Sequence, residues 1–213
     1  MSGMNIGLGM RQDQRMIQTL APRMIQSMEI LQLPIMALQE RIEFIESDLL
    51  ARGVGWSQVV VLDLFAGTGA FGLEALSRGA SGAAMVEKSR SAARVREANL
   101  AAVGCPGGNV LVRDARQLAS APPMVEASLC FADPPYEWSA RDLKDVLTLF
   151  AETGWIRSGA LVIAERPGKD AESPLPDAAI DVRRRPYGDT ALWYGRFEGQ
   201  GQAQPRPPES PLR

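Results

Sequence analysis

The feature that most constrains this chain is a glycine-rich turn between an apolar run and a helical pattern. Residues 59–62 are β-branched and leucine side chains, which is typical of a strand buried on both faces. Residues 63–72 read DLFAGTGAFG, and residues 73–78 have a helical pattern that ends before a glycine. Glycines allow a sharp turn and close approach of a ligand, and a helix N-terminus offers free N–H groups. The stretch predicts a ligand-binding strand–turn–helix unit, although a tight turn in another kind of α/β protein also fits it.

Strands and helices alternate through the chain after this turn. Six segments have the apolar pattern of one or the other: strands at residues 83–86, 109–113, 127–132 and 160–164, and helices at 89–103 and 139–153. Two further strand patterns, at residues 180–185 and 190–197, are arranged as a hairpin. The alternation predicts an α/β fold with a Rossmann-like, doubly wound, mostly parallel sheet, to which the hairpin adds an antiparallel strand.

The composition excludes several kinds of chemistry. The 213 residues contain no histidine and two cysteines, which are too few for a zinc site made of thiolates alone. Nucleophilic schemes built on a Ser-His or Cys-His pair are therefore excluded, and we predict no metal site. A net charge of −2 gives no overall attraction to nucleic acid, so a basic surface must be local, for example at residues 183–185. No apolar run reaches membrane-spanning length and no signal peptide is visible, so we expect a soluble, cytoplasmic protein.

Acidic residues follow the predicted strands. Four of them lie at or near a strand's carboxyl end: Asp63, Glu87, Asp114 and Asp133. Ligands of open α/β sheets bind beyond these ends, so we expect the four carboxylates to face one site. Glu87 follows Asp63 by about 24 positions, which suits an acid that accepts hydrogen bonds from two ribose hydroxyls. Because Gly67, Gly69 and Gly72 also fit the dinucleotide fingerprint, a nicotinamide enzyme and an S-adenosylmethionine enzyme remain equally compatible.

The residues after the fourth strand separate these two alternatives. Asp133-Pro134-Pro135-Tyr136 resembles the catalytic motif of methyltransferases that act on exocyclic amines of nucleic-acid bases. Such an amine is a poor nucleophile because its lone pair is conjugated with the ring. The Asp133 carboxylate and the Pro134 carbonyl can accept its hydrogens, which directs the lone pair toward the methyl donor. The proline rings fix the local backbone, and Tyr136 offers a face on which a base can stack.

The region from about residue 59 to residue 197 is similar to the bacterial small-subunit ribosomal RNA guanine-N2 methyltransferases. Seven stretches carry the resemblance: residues 62–70, 74–80, 86–87, 99–100, 114–115, 131–136 and 187–190. It implies a class I methyltransferase that uses S-adenosylmethionine and acts on ribosomal RNA or a precursor of the small ribosomal subunit. It also implies which residues bind the cofactor: Asp63, Phe65, Ala66, Gly67, Thr68 and Gly69 at its methionine end, Glu87 at the ribose, and Asp114 and Ala115 at the adenine. Residues 133–136 would contact the guanine.

Residues 1–50 have a different character, because seven of the nine methionines lie here. Two apolar stripes at helical spacing, separated by Pro34, predict a helical hairpin. Such a stripe either packs on the main domain or forms an adaptable surface for a partner protein. Residues 10–16 and 20–34 resemble the N-terminal region of sigma fifty-four factors, which contacts activator ATPases in that family. This implies a fused or joined segment and a protein partner for it.

These observations divide the chain into four parts: residues 1–50 as a sigma-like helical segment, 51–58 as a linker, 59–198 as the methyltransferase domain and 199–213 as a disordered tail. We expect the chain to stay folded without residues 1–50. The main alternative is a non-catalytic interaction protein, in which the hairpin is joined to a methyltransferase body without a lid. In the family that the chain resembles, an Arg-Pro-Thr segment ahead of the glycine turn closes over the cofactor, and this segment is absent here. A nicotinamide-dependent oxidoreductase is the second alternative, in which Asp-Pro-Pro-Tyr would have no role.

Overall fold

The computed structural model describes residues 35–199, with side chains from residue 38 onward. The first helix of the predicted hairpin and nearly all of the predicted disordered tail lie outside this range. Seven strands are present in it: β1 (Val60–Leu64), β2 (Gly82–Glu87), β3 (Gly108–Val112), β4 (Ala127–Ala132), β5 (Ile156–Pro167), β6 (Ala179–Tyr187) and β7 (Thr190–Phe197). Its α-helices are α1 (Ile35–Ala51), α2 (Ala70–Ser77), α3 (Arg90–Val103), α4 (Ala115–Ala119) and α5 (Ala140–Glu152).

The seven strands form one sheet in the order β3-β2-β1-β4-β5-β7-β6. The first five strands of the chain run parallel, whereas β7 is antiparallel to both β5 and β6. This confirms the predicted doubly wound sheet with an antiparallel hairpin. Strand order reverses between β1 and β4, and this switch point is where ligands of such sheets bind.

Capping residues explain where several helices begin and end. The Ser89 hydroxyl accepts a hydrogen bond from the Ala92 N–H at the start of α3, and Gly104 ends that helix with a φ of 67°. Ser139 and Asp142 form a capping box at the start of α5, as their spacing predicts. Two features differ from the sequence prediction. The short helix α4 was not predicted, and β5 continues beyond residue 164 because it pairs with β7 as far as Pro167.

Helix α1 packs against one face of the sheet. Leu38, Ile42 and Ile45 are at most 1% exposed and share a hydrophobic cluster with residues of β1 and α2. Their spacing is that of one helical face, so the stripe of the predicted second helix serves the core of the domain. The four-part division of the chain stays a prediction, but a boundary at residue 50 would cut through this interface.

Two ion pairs connect α1 to the far half of the sheet. Arg41 pairs with Glu165 of β5, and Asp48 pairs with Arg196 of β7. All four side chains are largely buried, so the contacts join elements that lie more than a hundred positions apart. Between residues 35 and 199, no helix has the length and apolar character that crossing a bilayer would need.

Candidate active site

The glycine turn leads from the end of β1 into α2 through left-handed backbone. Gly67 and Gly69 have φ angles of 52° and 89°, and Phe65 has 63°. The Ala66 N–H donates to the Val86 carbonyl at 2.9 Å, which ties the turn to β2. A Cβ built on Gly67 would meet no atom within 4 Å, so the backbone there borders open space. A ligand can therefore approach this turn closely.

Asp63 lies beneath the turn and is 2% exposed. Its Oδ2 accepts a hydrogen bond from the Gly72 N–H at 3.0 Å, which links β1 to the first turn of α2. Burial raises the pKa of Asp63 to about 7, against the Gly72 hydrogen bond and the positive charge of Arg96. The carboxyl group therefore changes charge near neutral pH.

Helix α3 supports the turn from below through two polar side chains that the sequence analysis did not assign a role. Arg96 is fully buried, and its Nη1 donates to the Gly67 carbonyl at 2.8 Å. Asn99 Nδ2 donates to the Thr68 carbonyl at 3.4 Å. A Cβ on Gly69 would come within 2.7 Å of the Arg96 side chain, which is why a glycine is needed there. Their spacing of three positions, which places Arg96 and Asn99 on one face of the helix, was the sequence signal that could have indicated this role.

Glu87 ends β2 beside the same turn. One carboxylate oxygen accepts from the Gly67 N–H at 3.3 Å, and the other accepts from the Ser89 N–H at 2.8 Å. The side chain is half-buried and borders two cavities, so it remains within reach of a ligand. Each carboxylate oxygen has a second lone pair, which leaves Glu87 free to accept hydroxyl donors.

Asp114 and Ala115 lie on the other side of Glu87. Asp114 is the N-cap of α4, where its Oδ1 accepts from the N–H groups of Arg116 and Gln117 at 2.9 and 3.4 Å. Both residues border a cavity of about 30 Å³ together with Phe65, Val86, Glu87, Lys88, Arg113, Pro135 and Trp138. A cavity of this volume has room for about two water molecules, so an adenine ring needs the walls to move apart.

The Asp-Pro-Pro-Tyr motif follows β4 directly. Asp133 is accessible to solvent, Pro134 is buried, Pro135 is exposed, and Tyr136 is 83% exposed. A cavity of about 320 Å³ is bordered by these four residues and by Phe65, Glu87, Glu165, Arg166, Pro167 and Thr190. The structure thus brings the predicted guanine-contacting residues together with Phe65 and Glu87 of the predicted cofactor site.

Four residues of this cavity had no predicted role: Glu165, Arg166, Pro167 and Thr190. Glu165 and Arg166 lie in the part of β5 beyond the predicted strand end, and Thr190 begins β7. An acid at the end of β5 follows the same rule that selected the other four carboxylates. Glu165 directly follows the predicted strand at residues 160–164, as Asp133 follows the one at 127–132, so this rule was a signal that could have found it.

The charged residues around Asp133 act on its ionisation in opposite directions. The surrounding protein raises the pKa of Asp133 above its ordinary value by desolvation, while the positive charges of Arg41 and Arg166 lower it. The pKa of Glu165 is raised by burial and by the nearby charge of Asp133, and Arg41 opposes this shift. Arg166 Nη2 also donates to the Trp138 carbonyl at 2.6 Å and to Asp170 at 2.8 Å.

Two larger cavities lie outside this centre. One, of about 610 Å³, shares Tyr136, Arg166 and Pro167 with it and is also bordered by Lys169 and Arg184. The other, of about 630 Å³, lies between α1 and the β6–β7 hairpin and contains none of the predicted site residues. No group of three or more histidine, cysteine or acidic side chains in residues 35–199 is placed to hold a metal ion.

Two family models match separate parts of the chain. Residues 48–196 match the family described as conserved hypothetical protein 95. Residues 9–45 match the activator interacting domain of the sigma-54 factor, which confirms the resemblance predicted for this segment. The second match ends inside α1, so the helix that packs on the sheet belongs largely to the sigma-like segment.

Curated relatives match the same region. Ribosomal RNA small subunit methyltransferase D of Escherichia coli strain K12 is 31% identical over 145 residues, which are 67% of this chain and 70% of that protein. Bacillus subtilis YlbH, described as a candidate rRNA methyltransferase, is 33% identical over 137 residues, which are 62% of this chain and 72% of that protein.

Solved structures have the same fold. A candidate methyltransferase of Escherichia coli, yhhF, is 27% identical with a TM-score of 0.65, covering 74% of this chain and 85% of that one. A candidate methylase of Haemophilus influenzae has a TM-score of 0.65 at 24% identity, covering 76% of this chain and 99% of that one. The matches to the first family model and to the curated relatives show that this chain belongs to the conserved hypothetical protein 95 family, the family of ribosomal RNA small subunit methyltransferase D.

Proposed function

We propose that this chain is an S-adenosylmethionine-dependent methyltransferase that acts on the 2-amino group of a guanine in small-subunit ribosomal RNA. The observation that carries the proposal is the cavity of about 320 Å³ that Asp133 and Tyr136 border together with Phe65 and Glu87. One cavity can thus receive both a base amine and the methyl end of a cofactor. The family membership supports the same reaction, and a substrate in ribosomal RNA supports a cytoplasmic location.

The residues around the turn fit S-adenosylmethionine. Open space beside Gly67 lets the backbone approach the methionine end, and Glu87 retains lone pairs for ribose hydroxyls. The acidic surroundings, which include Asp63 and Asp133, suit a ligand with a positively charged sulfonium and ammonium. Asp114 and Ala115 would border the adenine once the narrow cavity at Trp138 opens. When bound, the cofactor supplies an electrophilic methyl group.

Asp133 and Pro134 would perform the part of the reaction that belongs to the protein. The Asp133 carboxylate accepts one hydrogen of the guanine amine, and the Pro134 carbonyl accepts the second. These hydrogen bonds weaken conjugation of the nitrogen with the ring and fix the direction of its lone pair. The exposed ring of Tyr136 would stack on the guanine, which must leave its own stack to enter the cavity.

The RNA backbone next to the target guanine would lie in the adjoining cavity of about 610 Å³. Lys169 and Arg184 border it, and Tyr136 is common to both cavities. Phosphate contacts from such side chains would position the RNA without reading its sequence. The predicted protein partner of the N-terminal segment stays a prediction, which the sigma-54 match supports.

Calorimetry and methyl transfer together test the proposal. S-adenosylhomocysteine should bind and NAD should not, and Glu87→Ala should weaken binding by roughly 1–3 kcal/mol because ribose hydroxyls lose a buried partner. Glu126→Ala, an exposed glutamate before β4, is the matched control. Tritiated methyl groups should then appear on guanine N2 in unmodified small-subunit particles. Binding of NAD without any S-adenosyl ligand would contradict the proposed cofactor, and label on another atom would contradict the proposed target.

A further inference from the structure

The sigma-like segment contributes a side chain to the wall behind the proposed guanine site. Arg41 lies in α1, within the region that matches the sigma-54 activator interacting domain. Its side chain is 9% exposed and forms an ion pair with Glu165. Its guanidinium carbon also lies 5.7 Å from the centroid of the Phe131 ring in β4. Arg41 therefore contacts both strands whose ends carry the carboxylates of the cavity.

Asp133 and Glu165 lie next to each other near the carboxyl ends of β4 and β5. Ala132 of β4 pairs with Ala164 of β5 in parallel register, so Asp133, the first residue after β4, lies beside Glu165, which is still paired with β7. Both carboxylates border the cavity of about 320 Å³. Two neighbouring negative charges repel each other, and without a compensating cation one of them tends to take up a proton.

The other charged groups that face Asp133 do not replace Arg41. Arg166 of β5 is nearby, but its guanidinium is shared with Asp170 and the Trp138 carbonyl. Asp63 of β1 adds negative charge to the same neighbourhood, and Glu87 of β2 borders the same cavity as Asp133. Thr190 of β7 lies within hydrogen-bonding reach of Glu165 and carries no charge. Arg41 is thus the cation that is bonded directly to the second carboxylate.

We propose that Arg41 is a positioning residue for methyl transfer: it holds Glu165 beside Asp133, so that both carboxylates face the guanine site as hydrogen-bond acceptors. The inference rests on the proposed function for its substrate, whereas the charge relation among the three side chains exists without RNA. An acceptor is required at Asp133 because a protonated carboxyl group would present a donor to an amine that is itself a donor.

The direct experiment is a pH titration of the Asp133 side-chain carboxyl carbon by NMR in the full chain. Removing the cation with Arg41→Gln should move the Asp133 midpoint upward by about one pH unit or more, because the carboxylate loses a favourable charge. Glu165→Gln should move it downward, because the repulsion disappears. The double variant should lie between the two, and Arg41→Lys should stay close to the parent.

Arg196→Gln is the matched control, since it breaks the other ion pair between α1 and the sheet. It should lower the melting temperature without moving the Asp133 midpoint. If Arg41→Gln does not fold, the double variant can be compared with Glu165→Gln instead. These two proteins differ only at Arg41, so the difference between their Asp133 midpoints measures the effect of its charge. Equal midpoints in the parent and in every folded variant would overturn the proposal.

Methyl transfer gives the second readout. Arg41→Gln should move the acid limb of the rate profile to higher pH, so that methyl transfer is slower at acid pH and recovers as the pH rises, while the control keeps the parent's profile. If Arg41→Gln shifts the Asp133 midpoint but the parent does not methylate rRNA, the charge relation among the three side chains stands and the proposed function is contradicted. If the parent is active and Arg41→Gln leaves the pH dependence of methyl transfer unchanged, the proposed function stands and the positioning role of Arg41 is contradicted.

Discussion

The two halves of the proposed active site are built in different ways. The cofactor half is a continuous turn whose shape comes from backbone: Gly67 and Gly69 have positive φ angles, and Asp63 bonds to an amide nine positions away. The target half is assembled from charged side chains distant in the sequence, since Arg41 and Glu165 are separated by 124 positions. A local turn depends on a few neighbouring residues, whereas the second half depends on the packing of α1 and β5 on β4.

The largest expected effect comes from removing α1, because this affects the assembled half and the core together. A chain that begins at residue 35 should fold, whereas one that begins at residue 52 should be largely unfolded by circular dichroism. Burial of Leu38, Ile42 and Ile45 contributes roughly 1.5–3 kcal/mol each, which together approaches the whole stability of an ordinary domain. This revises the expectation that residues 1–50 are dispensable. A folded, cooperatively melting chain from residue 52 would show that the sheet does not need this helix.

The next effect should separate catalysis from cofactor binding. Asp133→Ala should lower methyl transfer by roughly a hundredfold or more, since one preorganised partner of the transition state is lost. Asp133→Asn should lose less, because its amide oxygen still accepts one hydrogen bond. Affinity for S-adenosylhomocysteine should stay close to the parent's in both variants. Asp145→Ala, an exposed aspartate on α5, serves as control, and an Asp133→Ala variant as fast as the parent would remove Asp133 from the mechanism.

The contrast between the halves also explains how much could be predicted from the sequence. The fold and the glycine turn could be predicted because alternating apolar patterns and closely spaced glycines report local geometry. The positions of the four acids near strand ends could be predicted because parallel strands place their carboxyl ends at one edge. The expectation that all four face one site stays a prediction: Glu87 borders one cavity with Asp133 and another with Asp114, whereas Asp63 is buried and borders neither.

Glu165 was missed although it meets the same strand-end rule, since it directly follows the apolar run at residues 160–164. The extension of β5 past that run, through the pairing of Pro167 with Thr190, could not be predicted from the apolar pattern. The role of Arg41 was hidden because the helical stripe of α1 does not indicate which surface covers it.

A third measurement concerns the cofactor half, where Asp63 should make binding depend on pH. The folded-state pKa of Asp63 is about 7, so the carboxyl group is mostly neutral below that pH and mostly ionised above it. A cationic ligand favours the ionised form, so affinity for S-adenosylmethionine should rise about tenfold between pH 6 and pH 8. Asp63→Asn should lose this rise. The ligand's own amine titrates in the same way with both proteins, so it does not contribute to the difference between their pH dependences. An identical pH dependence in both would contradict the role of Asp63.

The smallest expected effect lies at the outer edge of the target half, where RNA would leave the cavity. Lys169 is exposed beside Tyr136 and Arg184, and a phosphate contact there would release about one counterion. Lys169→Gln should therefore reduce the slope of log affinity against log salt concentration by about one, uniformly across RNA sequences.

Arg157→Gln removes an exposed charge near the start of β5, at the opposite edge of the sheet, and should leave the slope unchanged. Filter binding of a small-subunit RNA fragment over a salt series measures both variants. Because none of the predicted cofactor-binding residues borders this cavity, the affinity for S-adenosylhomocysteine should be the same in the parent and in Lys169→Gln. A slope that falls equally in both variants would mean that RNA responds to net charge alone and that this cavity does not guide its backbone.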